Sequence, residues 1–258
     1  MSFTGKQKKD TYKDILQVGN SNNGISTSVT NVKSGDGSSS SLSVSDRALQ
    51  VKSLTDNTAA LDVQDASGTK ILIVDTTNSI VKANNVHVNT QYANFGFDYS
   101  GPGSMVVNTH TAISYNHFTG GGGLALGTGT DPATSLTIAT TAHEVVNKYW
   151  YVMDNITIDR VVWWSGADAA TGDTTRCHVM SYDIDSDNGS TGGDLSSGVV
   201  LADGADITNA GYEQLYYQQM TLQSANVTAG KIILFTFRSD SVNSDFSINA
   251  TIKYHITG

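Results

Sequence analysis

The densest group of side chains that could do chemistry is an acidic stretch in the second half of the chain. Four aspartates lie within residues 183–194, namely Asp183, Asp185, Asp187 and Asp194, and Gly189 lies between the last two. Alternating carboxylates on a turn suit a hard cation such as Ca²⁺. However, the glycine comes one position later than in an EF-hand loop, and an aspartate stands where a bidentate glutamate is expected. The stretch therefore leaves two interpretations open, a calcium loop and an acidic hairpin turn, and we assign no metal ligand.

Signatures of common enzyme sites are missing. The glycine run at 120–123 has no Gly-Lys-Ser/Thr ending and no helical pattern after it, so it does not predict a phosphate-binding loop. His143 and Glu144 lack a second histidine four residues on, and no G-x-S-x-G elbow occurs. We expect no catalytic residue and no cofactor, and therefore a protein that is not an enzyme.

Two aromatic groups could form a platform for sugar rings. They are Tyr149-Trp150-Tyr151 and Trp163-Trp164. Neighbouring residues on a strand point to opposite faces of a sheet, so at least one ring in each group should pack in a core. Only the remaining rings could face a ligand.

Composition indicates an all-β protein. Glycine is abundant at 25 and proline scarce at 2 among 258 residues, and short β-branched runs alternate with Ser, Thr and Asn. The net charge of −9 argues against nucleic-acid binding, which normally needs a basic face. No run of 18 apolar residues predicts a membrane span, and no apolar signal-peptide core is seen, so we expect folding in a cytoplasm. Cys177 is the only cysteine and should pack as a small hydrophobic residue.

Strand patterns fill the chain from about Gln91 onward. Aromatic residues become frequent there, and Gly101-Pro-Gly103 interrupts the chain. Ile232–Phe237 is apolar at nearly every position, which predicts a central strand covered on both faces. Phe246–Ile256 alternates apolar and polar residues, which predicts one packed and one wet face. We expect residues 93–258 to form a β-sandwich head of the jelly-roll type.

A thin β segment precedes this head, over residues 41–92. Residues 61–84, LDVQDASGTKILIVDTTNSIVKAN, predict three short strands joined by two tight turns. Leu42-Ser-Val44-Ser-Asp46 repeats the pattern of Leu61-Asp-Val63-Gln-Asp65, and an apolar strand follows each copy. Such thin units become stable when they stack or wrap around copies of themselves.

The stretch L-D-V-Q-D-A-S-G-T, followed by V-D-T-T-N-S and V-K, resembles the shaft-like β segments of tailed-bacteriophage fibre and spike proteins. The resemblance implies a parallel homotrimer in which each chain buries apolar residues around one axis. Seven residues are expected at that interface: Leu42, Val44, Leu61, Val63, Ile71, Ile73 and Ile80. The resemblance also implies a layout of anchor, shaft and head, on a virion that is assembled in a host cytoplasm.

The first forty residues are polar and should form an extended anchor arm. Five residues of a basic, partly apolar patch are the expected contacts with another virion protein: Lys8, Lys9, Tyr12, Ile15 and Leu16. A solvated basic tail is the alternative interpretation. The sequence does not distinguish attachment to a capsid from attachment to a tail.

These observations predict a non-enzymatic phage structural protein, a homotrimeric fibre, spike or decoration protein anchored by its N-terminus. One alternative is a receptor-binding protein whose head recognises a host surface glycan. A second is a glycan-degrading enzyme on a β scaffold, which would need two acidic residues across a cleft. The expected partners are sister chains and other virion proteins, with no nucleic acid and no membrane.

Overall fold

A computed structural model describes residues 16–19, 23–99, 107–116, 124–127, 146–168, 171–211, 214–240 and 245–257. Every regular element in these ranges is a β-strand, so the expected all-β class is confirmed. No helix there could span a membrane. The chain divides into two compact units, Met1–Val88 and Asn89–Gly258.

The N-terminal unit contains two four-stranded antiparallel meanders. The first, the 17–51 sheet, consists of β1 (Gln17–Val18), β2 (Thr30–Lys33), β3 (Ser39–Val44) and β4 (Leu49–Val51) in that order. The second, the 61–87 sheet, consists of β5 (Leu61–Gln64), β6 (Lys70–Asp75), β7 (Ile80–Ala83) and β8 (Val86–His87). The three strands expected within 61–84 are therefore confirmed.

Tight turns held by short polar side chains connect these strands. The Asp65 carboxylate accepts hydrogen bonds from the backbone N–H groups of Ser67 and Thr69, both at 2.8 Å. Gly68 has a φ of 85°, a left-handed conformation that glycine adopts at no steric cost. Asp75 accepts from the backbone and side chain of Asn78 in the same way, at 3.0 and 2.8 Å. Local sequence therefore fixes where each hairpin turns.

The C-terminal unit contains two larger sheets. The six-stranded sheet has the order β11-β9-β22-β14-β18, with β20 against β14. Its strands are β9 (Thr90–Tyr99), β11 (Ser114–Tyr115), β14 (Ile156–Asp168), β18 (Gln214–Gln219), β20 (Asn226–Val227) and β22 (Asp245–Ile256). The strands of the eight-stranded sheet are β10 (His110–Ala112), β12 (Leu124–Gly127), β13 (Trp150–Tyr151), β15 (Thr174–Ile184), β16 (Leu195–Asp203), β17 (Ile207–Thr208), β19 (Thr221–Leu222) and β21 (Ile232–Ser239). Its order is β12-β10-β21-β15-β16-β19, with β13 against β21 and β17 against β15.

A single hydrophobic core joins these two sheets. The six-stranded sheet contributes Phe95, Trp163 and Phe246, and the eight-stranded sheet contributes Phe235 and Phe237. Cys177 is fully buried in the same core, as expected for a small hydrophobic residue, and burial raises the pKa of its thiol. Both sheets of this unit therefore contribute side chains to one buried core.

Both strands with a clear sequence pattern behave as predicted. All eight residues of β21 are buried, since β21 lies between β10 and β15 and both of its faces are covered. In β22, Phe246, Ile248, Ala250 and Ile252 point into the core, and the residues between them are more exposed. β22 pairs with β14 on one side and β9 on the other, which places it at the centre of its sheet.

Two expected boundaries differ from the structure. The division at 40/41 falls inside β3, because β2 pairs with β3 and the described part of the arm belongs to the 17–51 sheet. The division at 92/93 falls inside β9, which pairs with β22 along its whole length, so the second unit begins at Asn89.

Candidate binding and assembly surfaces

One face of the 61–87 sheet is entirely apolar. Strand register pairs Leu61 with Val74, Val63 with Leu72, and Val74 with Val81, and directly paired residues share a face. The face consists of Leu61, Val63, Leu72, Val74, Val81, Ala83 and Val86. Leu61 is 37% exposed and Val86 46% exposed. In this sheet the apolar side is therefore the one left open to water, which is unusual for a soluble chain.

The 17–51 sheet also places several aliphatic residues on one face. Leu42 pairs with Val51 and Val44 pairs with Leu49, so the four side chains share one face. The opposite face carries polar residues, such as Asn31, whose side-chain amide donates to backbone carbonyls of the neighbouring strand. Leu49 is 70% exposed. Among the described residues of this unit, Val32 and Ile73 are the only hydrophobic side chains that are buried. Neither sheet therefore has a core of its own.

The seven residues expected at the trimer interface do not form one stripe. Leu42 and Val44 lie on the apolar face of the 17–51 sheet, and Leu61 and Val63 on that of the 61–87 sheet. Ile73 pairs with Asp62 and Lys82 on the opposite face of the 61–87 sheet, which carries both polar and apolar side chains and is called the mixed face below. Ile73 is buried there.

Ile80 and Ile71 also fall outside the apolar face. Ile80 pairs with Asp75 on the mixed face, and Ile71 lies at a register shift between β5 and β6. The expected interface includes isoleucines of the run 71–74, whereas strand register places their neighbours Leu72 and Val74 on the apolar face. Period-two alternation within 70–75 could have found this second set.

Most of the expected anchor residues lie outside the described residues. These are Lys8, Lys9, Tyr12 and Ile15. Leu16 is described, lies just before β1 and is 69% exposed.

The outer face of the six-stranded sheet carries exposed aromatic rings. Trp164 on β14 pairs with Tyr217 on β18, and their ring centroids are 4.8 Å apart at an interplanar angle of 52°. Trp164 is 45% exposed and Tyr217 46% exposed. Trp163, the preceding residue, is fully buried, so the expected division of this pair between core and surface is confirmed.

A groove of about 460 Å³ lies beside the acidic turn, and Tyr149 and Tyr151 line it together with Asp185 and Asp187. The Asp185 carboxylate accepts from the Asp187 backbone N–H at 3.0 Å and from the Thr191 hydroxyl at 2.7 Å, and these bonds lower its pKa. Among the described residues, the carboxylates of this turn do not form a group of three with their oxygens close together. The turn connects the paired strands β15 and β16, so it is a hairpin turn that carries several carboxylates.

A second polar cluster, not predicted from sequence, is buried in the eight-stranded sheet. Asp203 contacts His178 Nε2 at 3.0 Å and the Arg176 guanidinium at 3.2 Å. The rings of His110 and His178 meet edge to face with centroids 4.6 Å apart, and the Thr236 hydroxyl lies 3.4 Å from His110 Nδ1. These residues come from four strands that are distant in sequence. No local motif could have indicated them.

No protein-family model matches this sequence, and no curated protein matches it either.

Proposed function

We propose that this chain is a non-enzymatic structural protein of a tailed-phage virion, a fibre, spike or decoration subunit. In this proposal the N-terminal unit assembles with two sister chains, and the C-terminal β-sandwich is displayed as a jelly-roll-like head. The segment before β1 serves as the anchor to another virion protein. The observation that carries the proposal is the pair of apolar faces in the N-terminal unit.

The energetics favour covering these faces with other copies of the chain. Each large aliphatic side chain that goes from half-exposed to buried contributes about 1 kcal/mol. The four exposed aliphatic residues of the apolar face of the 61–87 sheet, Leu61, Val63, Val81 and Val86, would contribute roughly 4 kcal/mol per chain before ordering costs. Sister chains present identical apolar faces, so a closed symmetric assembly can cover all of them at once. Three-fold symmetry comes from the resemblance of residues 61–84 to phage shaft segments.

The oligomeric state of matched variants tests the proposal, and two adjacent residues on opposite faces of β4 provide the variants. Val51 lies on the apolar face and Gln50 on the polar face, and both are exposed in the single chain. We expect light scattering on the wild-type protein to give three times the chain mass of 27.3 kDa. Val51→Asp and Val81→Asp should yield monomers, whereas Gln50→Asp should keep the wild-type mass. A monomeric wild type, or apolar-face variants that stay trimeric, would contradict the proposal.

A second candidate function, receptor binding by the head, is favoured by the ring pair Trp164–Tyr217. The surface beside these rings supports binding more than hydrolysis. A glycosidase places two carboxylates on either side of the bond it cleaves. The groove beside Tyr217 is lined by Tyr92, Arg160, Val162, Tyr217, Thr251 and Lys253, and none of these carries a carboxylate.

A further inference from the structure

The outer face of the six-stranded sheet brings two cations together beside the exposed rings. Arg160 on β14 pairs directly with Lys253 on β22, and both line a groove of about 350 Å³. Arg160 lies directly opposite Lys253 because the pairing of β14 with β22 shifts register between Ile158 and Arg160. This irregularity places the guanidinium on the open face.

Neither cation is neutralised by a described carboxylate. The Arg160 guanidinium donates to the Tyr217 hydroxyl at 2.7 Å, which holds it next to the ring pair. The nearest described acid on β14 is Asp159, whose carboxylate instead contacts His255 Nδ1 at 3.0 Å. No ion pair joins Arg160 or Lys253 to any aspartate or glutamate in the described ranges. The chain as a whole has a net charge of −9, so these two cations make this part of the surface locally positive.

The neighbouring positions add hydrogen-bonding groups at fixed places. The Thr251 hydroxyl donates to the Asn94 side-chain carbonyl at 3.0 Å, and Asn249 pairs with Trp164 across the strands. An aromatic ring accepts the C–H face of a pyranose by dispersion and electrostatic attraction. Amide and hydroxyl groups around it satisfy sugar hydroxyls, and arginine binds a carboxylate with two parallel hydrogen bonds.

We propose that this face binds an acidic polysaccharide whose sugar rings carry carboxylates. A sugar ring packs on Trp164 and Tyr217, and a carboxylate of the same chain is bound by Arg160 and Lys253. The inference deepens the second candidate function, receptor binding by the head, and does not depend on the number of chains in the assembly.

Binding of alginate, polysialic acid and neutral dextran to the full-length protein tests this proposal, with tryptophan fluorescence as the readout. Trp163 and Trp150 are buried, so Trp164 is the indole that a bound sugar would reach. We expect at least one acidic polymer to bind and change the fluorescence, and dextran not to. Trp164→Ala and the double variant Arg160→Gln/Lys253→Gln should each weaken binding at least tenfold, as measured by calorimetry.

Matched controls separate this surface from general effects of aromaticity and charge. Tyr151→Ala removes a ring with the same 46% exposure as Tyr217, and Arg47→Gln removes an exposed cation from the N-terminal unit. Both should bind like the wild type. Equal affinity for dextran would overturn the acidic specificity while leaving receptor binding standing. Loss of binding in the controls, no binding of any acidic polymer, or displacement of the polymer by duplex DNA at equal charge would overturn the inference itself.

Discussion

Trp163 and Trp164 are adjacent in the sequence and lie on opposite sides of the six-stranded sheet. The Trp163 indole is fully buried, and its N–H donates to the side-chain carbonyl of Gln218 at 3.2 Å. Trp164 faces outward and contacts Tyr217. One tryptophan therefore belongs to the core and its neighbour to the surface that we propose for ligand binding.

This division predicts different stability effects for the two tryptophans. Trp163→Ala should lower the free energy of unfolding of the head by about 3–5 kcal/mol, because it removes a large buried side chain and leaves a cavity. Trp164→Ala should change it by less than about 1 kcal/mol, since water already reaches that ring. Urea unfolding of the two variants measures the difference. Equal losses would contradict the assignment of Trp164 to an open face.

The buried cluster around Asp203 predicts that the two aspartates that contact Arg176 contribute unequally to stability. Asp203→Ala removes the carboxylate shared by His178 and Arg176 and should cost about 3 kcal/mol, because the fully buried His178 loses this partner and the little-exposed guanidinium loses one of its carboxylates. Asp206 also contacts Arg176, at 3.2 Å, but is half-exposed. Asp206→Ala should cost less than about 1 kcal/mol. Thermal unfolding followed by circular dichroism compares them, and a larger loss for Asp206→Ala would refute this account.

The hairpin turn at Asp65 predicts a pH dependence. Hydrogen bonds from the Ser67 side chain and the Thr69 backbone hold the pKa of Asp65 below its ordinary value. A carboxyl whose folded pKa is lowered stabilises the fold above its unfolded pKa of about 3.9. That contribution is lost as pH falls through the lower, folded value. Asp65→Ala should therefore reduce the melting temperature of the N-terminal unit at pH 7, and the difference should shrink below about pH 3.

Asp56→Ala is the matched control for this turn, because Asp56 is exposed and makes no hydrogen bond among the described residues. Its melting temperature should follow the wild type at every pH. A deficit for Asp65→Ala that stays the same from pH 7 to well below pH 3 would show that the carboxylate charge plays no part.

Features encoded in neighbouring residues could be predicted from the sequence. The turn at Asp65 and Gly68 uses side-chain and backbone preferences that act within five residues, so the hairpins were expected where they occur. The nearly continuous apolar run Ile232–Phe237 also predicts a central strand, which the structure has as part of β21.

Features that depend on strand register could not be predicted in this way. The face that Ile73 occupies depends on its pairing with Asp62 and Lys82, and the opposition of Arg160 and Lys253 depends on an irregularity between β14 and β22. His110 and His178 meet only because β21 lies between their strands. Long-range pairing carries this information, and a single sequence does not display it.

The apolar face of the 61–87 sheet has a consequence for the order of folding under the proposed assembly. The core of residues 89–258 is enclosed within one chain, so its folding is unimolecular. The face around Val63 and Val81 gains its cover only when chains meet, so the stability of that sheet depends on protein concentration. In a newly synthesised subunit the head would therefore fold first. The N-terminal unit would reach its full stability only when the subunit associates with other copies of the chain.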